Sequence, residues 1–135
     1  MARAMKVAIV DDEQDMRQSI SQWLALSGFD TETYASAGEA LKVIGPDFQG
    51  VVVSDIRMPG MDGIELIAAV PREPFEPSMI IMTAHGTIAS AVEAVRKGAF
   101  DYLAKPLEKD ALLLTVRRAA ERAALMRENQ RLQKE

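Results

Sequence analysis

"VVVSDIRMPGMDG", residues 51–63, runs from a β-branched, uncharged stretch straight into a bare aspartate and then into a turn rich in proline and glycine. Val51, Val52, Val53 and Ser54 read as a strand apolar on both faces, the kind that sits in a sheet covered on both sides. A carboxylate at the end of such a strand is costly to bury unless something compensates it. What faces Asp55 therefore decides how the rest of the chain is read.

Outward from this strand, short apolar runs alternate with helical patterns. "KVAIV" (6–10) predicts a first strand. Residues 13–28 follow with Met16, Ile20, Trp23 and Leu24 at helical spacing and Gly28 as a stop. Residues 29–35 alternate like a short strand. Residues 36–45 open with Ser36 and Glu39 three positions on, a capping-box pattern, and end at Gly45-Pro46. Residues 63–70 predict a short helix, stopped by prolines at 71, 74 and 77, and residues 78–84 another apolar strand. Residues 87–98 predict a helix with Ile88, Ala91, Val92 and Val95 on one side, 99–106 a fifth strand, and 107 onward an unbroken helix. Five strands alternating with five helices predict an α/β fold, a doubly wound five-stranded parallel sheet. Sheets of this type place their ligand site at the carboxyl ends of the strands.

The bulk composition agrees. The chain has 135 residues, 48% of them hydrophobic, which suits one globular domain. A net charge of −4 argues against a nucleic-acid-binding surface in this segment. With no cysteine and a single histidine, there is no disulfide framework and no Cys- or His-based metal site. The start "MARAMKV" lacks the apolar core of a signal peptide, and no run approaches the ~18 apolar residues of a membrane span. The expectation is a cytoplasmic protein without membrane contact.

Polar residues then collect at one edge. The first strand ends in Asp11-Asp12, the third in Asp55 and the fourth in Thr83, and the fifth is followed by Lys105-Pro106. Carboxylates gathered there repel and desolvate one another. A hard divalent cation resolves this, because Mg²⁺ takes a few protein oxygens and keeps waters that a phosphate can replace. Lys105 adds a point charge of the kind that pairs with phosphate. Each residue also has a plain reading on its own: Asp11-Asp12 as a helix cap, Thr83 bonded to backbone, Lys105 solvated, Asp55 starting a turn with Pro59. It is the set, at matching strand ends, that points to a phosphate-and-cation site.

"VDDE", "SDIRMPGMDG", "MTAHG" and "DYLAKP" together resemble response-regulator receiver domains, over residues 5 to about 122. The resemblance implies the flavodoxin-like strand order 2-1-3-4-5. It implies Asp55 as phosphoacceptor, and Mg²⁺ held by Asp12, Asp55 and the main-chain oxygen of Arg57, with Asp11 acting through water. Thr83 and Lys105 would bind the phosphoryl group, Tyr102 would be the switch aromatic, and Lys105-Pro106 would be a cis peptide. Phosphorylation would draw Thr83 inward and let Tyr102 fill the vacated space, with helix 4, strand 5 and helix 5 as the readout face. A sensor histidine kinase would be the phosphodonor. His85, two residues past Thr83, would tune dephosphorylation rather than catalyse it.

The tail carries a second clue. If wholly helical, residues 107–135 would extend ~43 Å, about twice what a fifth helix needs. Residues 1–122 are therefore expected to form the receiver and 123–135 to begin a linker helix. Leu125 and Leu132 fall at d positions and Asn129 at an a position, a pattern for a parallel homodimer. Arg118 and Arg122 occupy core positions upstream, so a solvated charged helix is the other reading. The helix stops without a cap, which reads as a fragment of a longer protein. The motifs are similar to receivers of sigma-54-dependent activators, nearest the C4-dicarboxylate transport regulators. There an AAA+ ATPase and a DNA-binding region follow, and the dimer controls the ATPase. Two further readings are an aspartate-nucleophile phosphohydrolase and a constitutive dimerisation module. The first usually needs a second aspartate two residues after the nucleophile, where this chain has Arg57; the second leaves the Asp/Thr/Lys set without a purpose.

Overall fold

The computed structural model describes residues 5–71, 76–84 and 88–133, without the side chains of Ile88 and of residues 130–133. His85 and the Leu132 side chain lie outside the described residues. In chain order the elements are β1 (Lys6–Val10), α1 (Gln14–Leu26), β2 (Asp30–Tyr34), α2 (Ala37–Leu41), β3 (Val51–Asp55), α3 (Gly63–Ala69), β4 (Ser78–Ala84), α4 (Ile88–Arg96), β5 (Asp101–Lys105) and α5 (Lys109–Gln133). The strands form one parallel sheet in the order β2-β1-β3-β4-β5, the flavodoxin-like doubly wound order.

The period of two in each strand divides the core. Val7, Ile9, Val51, Val53, Ile80, Met82 and Leu103 face α1 and α5, packing against Ile20, Leu24, Leu112, Val116 and Ala119. Ala8, Val10, Val52, Met79 and Ile81 face the other way, against Ala37, Ala40, Leu66, Ile67 and Ala94. β3 is buried along its whole length, as its unbroken apolar run requires. On α5, Leu112, Val116, Ala119 and Ala123 are buried at spacings of four, three and four, one helical stripe laid on the sheet.

Three local expectations differ from the structure. α2 is shorter than residues 36–45: it ends at Leu41, where the N–H groups of Lys42 and Val43 donate to the carbonyls of Glu39 and Ala40, three residues back, and tighten the last turn. Ser36 still caps it by accepting from the Glu39 N–H, but the Glu39 carboxylate accepts from Ala35 rather than from Ser36. A complete capping box forms instead at α3, where Asp62 and Glu65 exchange both bonds. On α4 the inward residues are Ala91 and Ala94, while Val92 and Val95 are about half exposed. Two alanines let the helix lie close over the sheet, and that rotation turns both valines outward.

Gly63 positions the loop after β3. A Cβ there would stand 2.5 Å from the main-chain oxygen of Asp55, well inside van der Waals contact. Gly63→Ala must displace the peptide that carries Asp55, and it is expected to lower unfolding free energy by about 1–3 kcal/mol in urea titration. An unchanged midpoint would show that the loop yields freely.

Candidate functional site

Register and alternation bring the site together. Val10 pairs with Ser54, so Asp11 and Asp55 stand side by side one residue beyond, and Asp55 pairs with Met82 of β4. Asp11 shares its face with Ile9, Asp55 with Val53 and Lys105 with Leu103, all on the α1/α5 side. Thr83, next to Met82, projects to the opposite, α4 side. The Lys105 side chain crosses β4, placing Nζ 3.1 Å from Asp55 Oδ2 and 3.3 Å from Asp11 Oδ2.

These groups are almost out of water. Asp11 is fully buried, and Asp55 and Thr83 are 6% and 2% exposed. Asp11 is held on every side: its N–H donates to Tyr34 O at 3.1 Å, and its carbonyl accepts from Arg17 Nη1 at 2.7 Å. Its Oδ1 accepts from the Glu13 N–H at 2.9 Å. The N-cap of α1 is Glu13, without a side-chain cap bond, so Asp11 serves the helix start and the site together. Arg17 is a site neighbour that the sequence reading passed over; its signal was a cation in the second turn of the helix that opens at the acidic pair.

Asp55 accepts weakly from the Arg57 N–H at 3.4 Å, and its own carbonyl accepts from Ser54 Oγ at 2.9 Å. Arg57 thus presents its main chain to the site while its side chain is exposed. Thr83 Oγ1 is buried with no hydrogen-bond partner among the described residues, an arrangement that proteins seldom leave without a use. The Lys105–Pro106 peptide is cis. Tyr102 on β5 is 46% exposed.

Asp11, exposed Asp12 and Asp55 each offer an oxygen within 4.8 Å of the others. Oxygen-only donors, two buried and one open to solvent, suit a hard divalent cation that keeps part of its water shell. Burial raises the Asp11 carboxyl above its ordinary value, against the Glu13 N–H and the Lys105 charge, which pull it down. For Lys105, burial pulls the ammonium down, but its bond to Asp55 and the charges of both carboxylates outweigh this and hold it above its ordinary value. One lysine thus serves two acids: it gains from both, and neither is fully neutralised.

An ammonium with a raised folded pKa contributes stability that is complete below its unfolded value and is lost as pH rises through the folded one. Lys105→Met is expected to cost about 3 kcal/mol without divalent cations, because it leaves two buried carboxylates unpaired. It is also expected to remove part of the stability loss that the wild type shows above its ordinary lysine value of 10.5. Urea midpoints taken from neutral to alkaline pH check both; an equal alkaline slope in the two proteins would contradict the assignment.

The model of the response regulator receiver domain matches residues 7–117 of this chain. The C4-dicarboxylate transport transcriptional regulatory protein DctD of Rhizobium meliloti is 43% identical over 134 residues, 99% of this chain and 29% of that protein. The DNA-binding transcriptional regulator NtrC of Escherichia coli K12 is 41% identical over 114 residues, 84% of this chain and 24% of that protein. This chain thus spans less than a third of those two relatives. Among solved structures, NtrX from Brucella abortus in complex with ADP superposes with a TM-score of 0.85 at 34% identity, over 96% of this chain and 30% of that one. No described helix is long and apolar enough to cross a membrane. The chain belongs to the response regulator receiver domain family.

Proposed function

We propose that this chain is the phosphorylation-operated switch of a transcriptional regulator, accepting a phosphoryl group on Asp55 from a sensor histidine kinase. The observation that carries the reading is the site itself. Two nearly waterless carboxylates share Lys105, and the buried Thr83 hydroxyl on the neighbouring strand has no hydrogen-bond partner among the described residues. Receiver domains bind Mg²⁺ through acidic residues. Here Asp12, Asp55 and the Arg57 main-chain oxygen would hold it, with Asp11 acting through water. When bound, Mg²⁺ neutralises charge between the acceptor carboxylate and the incoming phosphoryl group.

An Asp55 oxygen attacks phosphorus, the bond from phosphorus to the donor's imidazole nitrogen breaks, and the nitrogen keeps that electron pair. Lys105 Nζ, already 3.1 Å from Asp55 Oδ2, is placed to follow the negative charge onto the phosphoryl oxygens. Thr83 Oγ1 donates to one of those oxygens and so gains a partner that it lacks among the described residues. Its movement opens space under α4 that Tyr102 enters. A hydrogen bond to a charged group contributes ~1.5–3 kcal/mol, enough to invert a population whose two states lie within about 1 kcal/mol of each other. His85, two residues past Thr83 in the sequence, would tune how fast the acyl phosphate is lost.

The output we assign is dimerisation through α4, β5, α5 and the linker helix that continues from residue 123, with Leu125, Asn129 and Leu132 in the seam. The exposed Val92, Val95, Tyr102, Leu114 and Leu125 supply apolar surface on those elements. By analogy with the relatives, the effector is an AAA+ ATPase with a DNA-binding region, in a sigma-54-dependent activator working in the cytoplasm. The chain itself makes no nucleic-acid contact in this reading. Treatment with Mg²⁺ and a small phosphodonor is expected to add one phosphoryl group to the wild type and none to Asp55→Asn, read by intact mass. Thr83→Ala is expected to accept the group but keep less than about a tenth of the change in dimer affinity. Full phosphorylation of Asp55→Asn would sink the proposal.

A further inference from the structure

A second polar cluster lies at the far end of β4, away from the acidic site. Arg122 Nη1 donates to the Glu76 carbonyl at 3.2 Å and to Ser78 Oγ at 3.0 Å, and Nη2 pairs with the Glu76 carboxylate. Ser78 Oγ in turn donates to the carbonyl of Ala119, at 3.0 Å, one turn back on α5. Arg122 and Glu76 keep 28% and 33% of their side-chain exposure, and ion pairs that open to solvent add little to stability. What the cluster fixes is geometry. A planar guanidinium held by three acceptors at the start of one strand allows the helix a narrow range of rotations about its axis.

The heptad frame gives that rotation a consequence. Counted back from Leu125 and Asn129, Arg122 occupies an a position. Yet its side chain is turned onto its own domain, as is that of Ala123, which is 3% exposed. Leu125, two residues on, is 66% exposed and faces away. We propose that Arg122 is a latch: it withdraws an a-position side chain from the coiled-coil seam and sets the phase of the linker helix, so that the coiled-coil part of the dimer starts at Leu125. The seam half of this statement rests on the dimer reading above; the latch half does not.

The test uses the whole chain. Arg122→Met keeps the side chain's length and removes every donor. It is expected to speed amide exchange at residues 123–129 about tenfold, with the sheet unchanged, whereas a merely structural role would raise exchange throughout. Arg122→Lys, which keeps the charge but not the fork, should recover part of the protection. Should Arg122→Met fail to fold, Glu76→Gln weakens only the ion pair and gives the same comparison at smaller amplitude. Arg122→Leu breaks the latch and supplies an apolar a residue. It is expected to dimerise about tenfold more tightly by sedimentation, with a reduced response to Mg²⁺ and beryllofluoride. Exchange at 123–129 within about twofold of wild type in Arg122→Met overturns the latch. Unchanged dimer affinity in Arg122→Leu overturns the seam. A wild-type chain that never self-associates, with or without beryllofluoride, overturns the dimer reading and the seam half with it, while exchange still decides the latch.

Discussion

Two carboxylates, Asp11 and Asp55, share a single ammonium in a place nearly without water. Charges in such a place must be paired, and one lysine is not enough for two acids. The site therefore keeps an unmet demand for positive charge: burial raises the Asp11 carboxyl, and neither the Glu13 N–H nor Lys105 brings it back to its ordinary value. In the proposed mechanism a cation at the exposed Asp12 edge would answer that demand, and a phosphoryl group would then draw Lys105 and Thr83 to new oxygens. The rest of the fold serves to keep these charges close, buried and incompletely satisfied.

The sheet does this by arithmetic. In parallel strands with a two-residue period, groups that meet share a face. Short side chains must also share a row, while a long one such as Lys105, paired with Ala84, reaches across two rows. Asp11 and Asp55 share a row, and Asp11, Asp55 and Lys105 share a face. Thr83 lies beyond Met82 on the other face, toward α4. That difference separates the groups that hold charge at rest from the Thr83 hydroxyl, which has no partner among the described residues. Gly63 belongs to the same scheme, since its missing side chain lets the loop pass against the Asp55 carbonyl.

Much of this was legible in the sequence because strand ends are legible. Apolar runs that stop at Asp11, Asp55 and Thr83 announce both the strand and its carboxyl edge, and β4 matches its expected span of 78–84. Helix faces were less legible. Spacing alone grouped Val92 and Val95 with Ala91, but the face that packs is set by how near the sheet lies, and Ala94 takes that place. Arg122 looked like an awkward residue in a coiled-coil frame; its partners Glu76 and Ser78 are more than forty positions away in the chain, a pairing that no local pattern contains. Arg17 was missed for a similar reason, because its bond is to a carbonyl and carbonyls leave no trace in a sequence.

The central claim is that Asp55 is the residue whose modification this domain reports. An acyl phosphate is reduced by borohydride to the corresponding alcohol, which turns a phosphorylated aspartate into homoserine and leaves a permanent mark in the chain. The chain would be treated with Mg²⁺ and a small phosphodonor, reduced, digested and mapped by mass spectrometry. The account predicts homoserine at position 55 alone, and none when Mg²⁺ is chelated. A mark at Asp11 or Asp12, or equal marking without Mg²⁺, would contradict it.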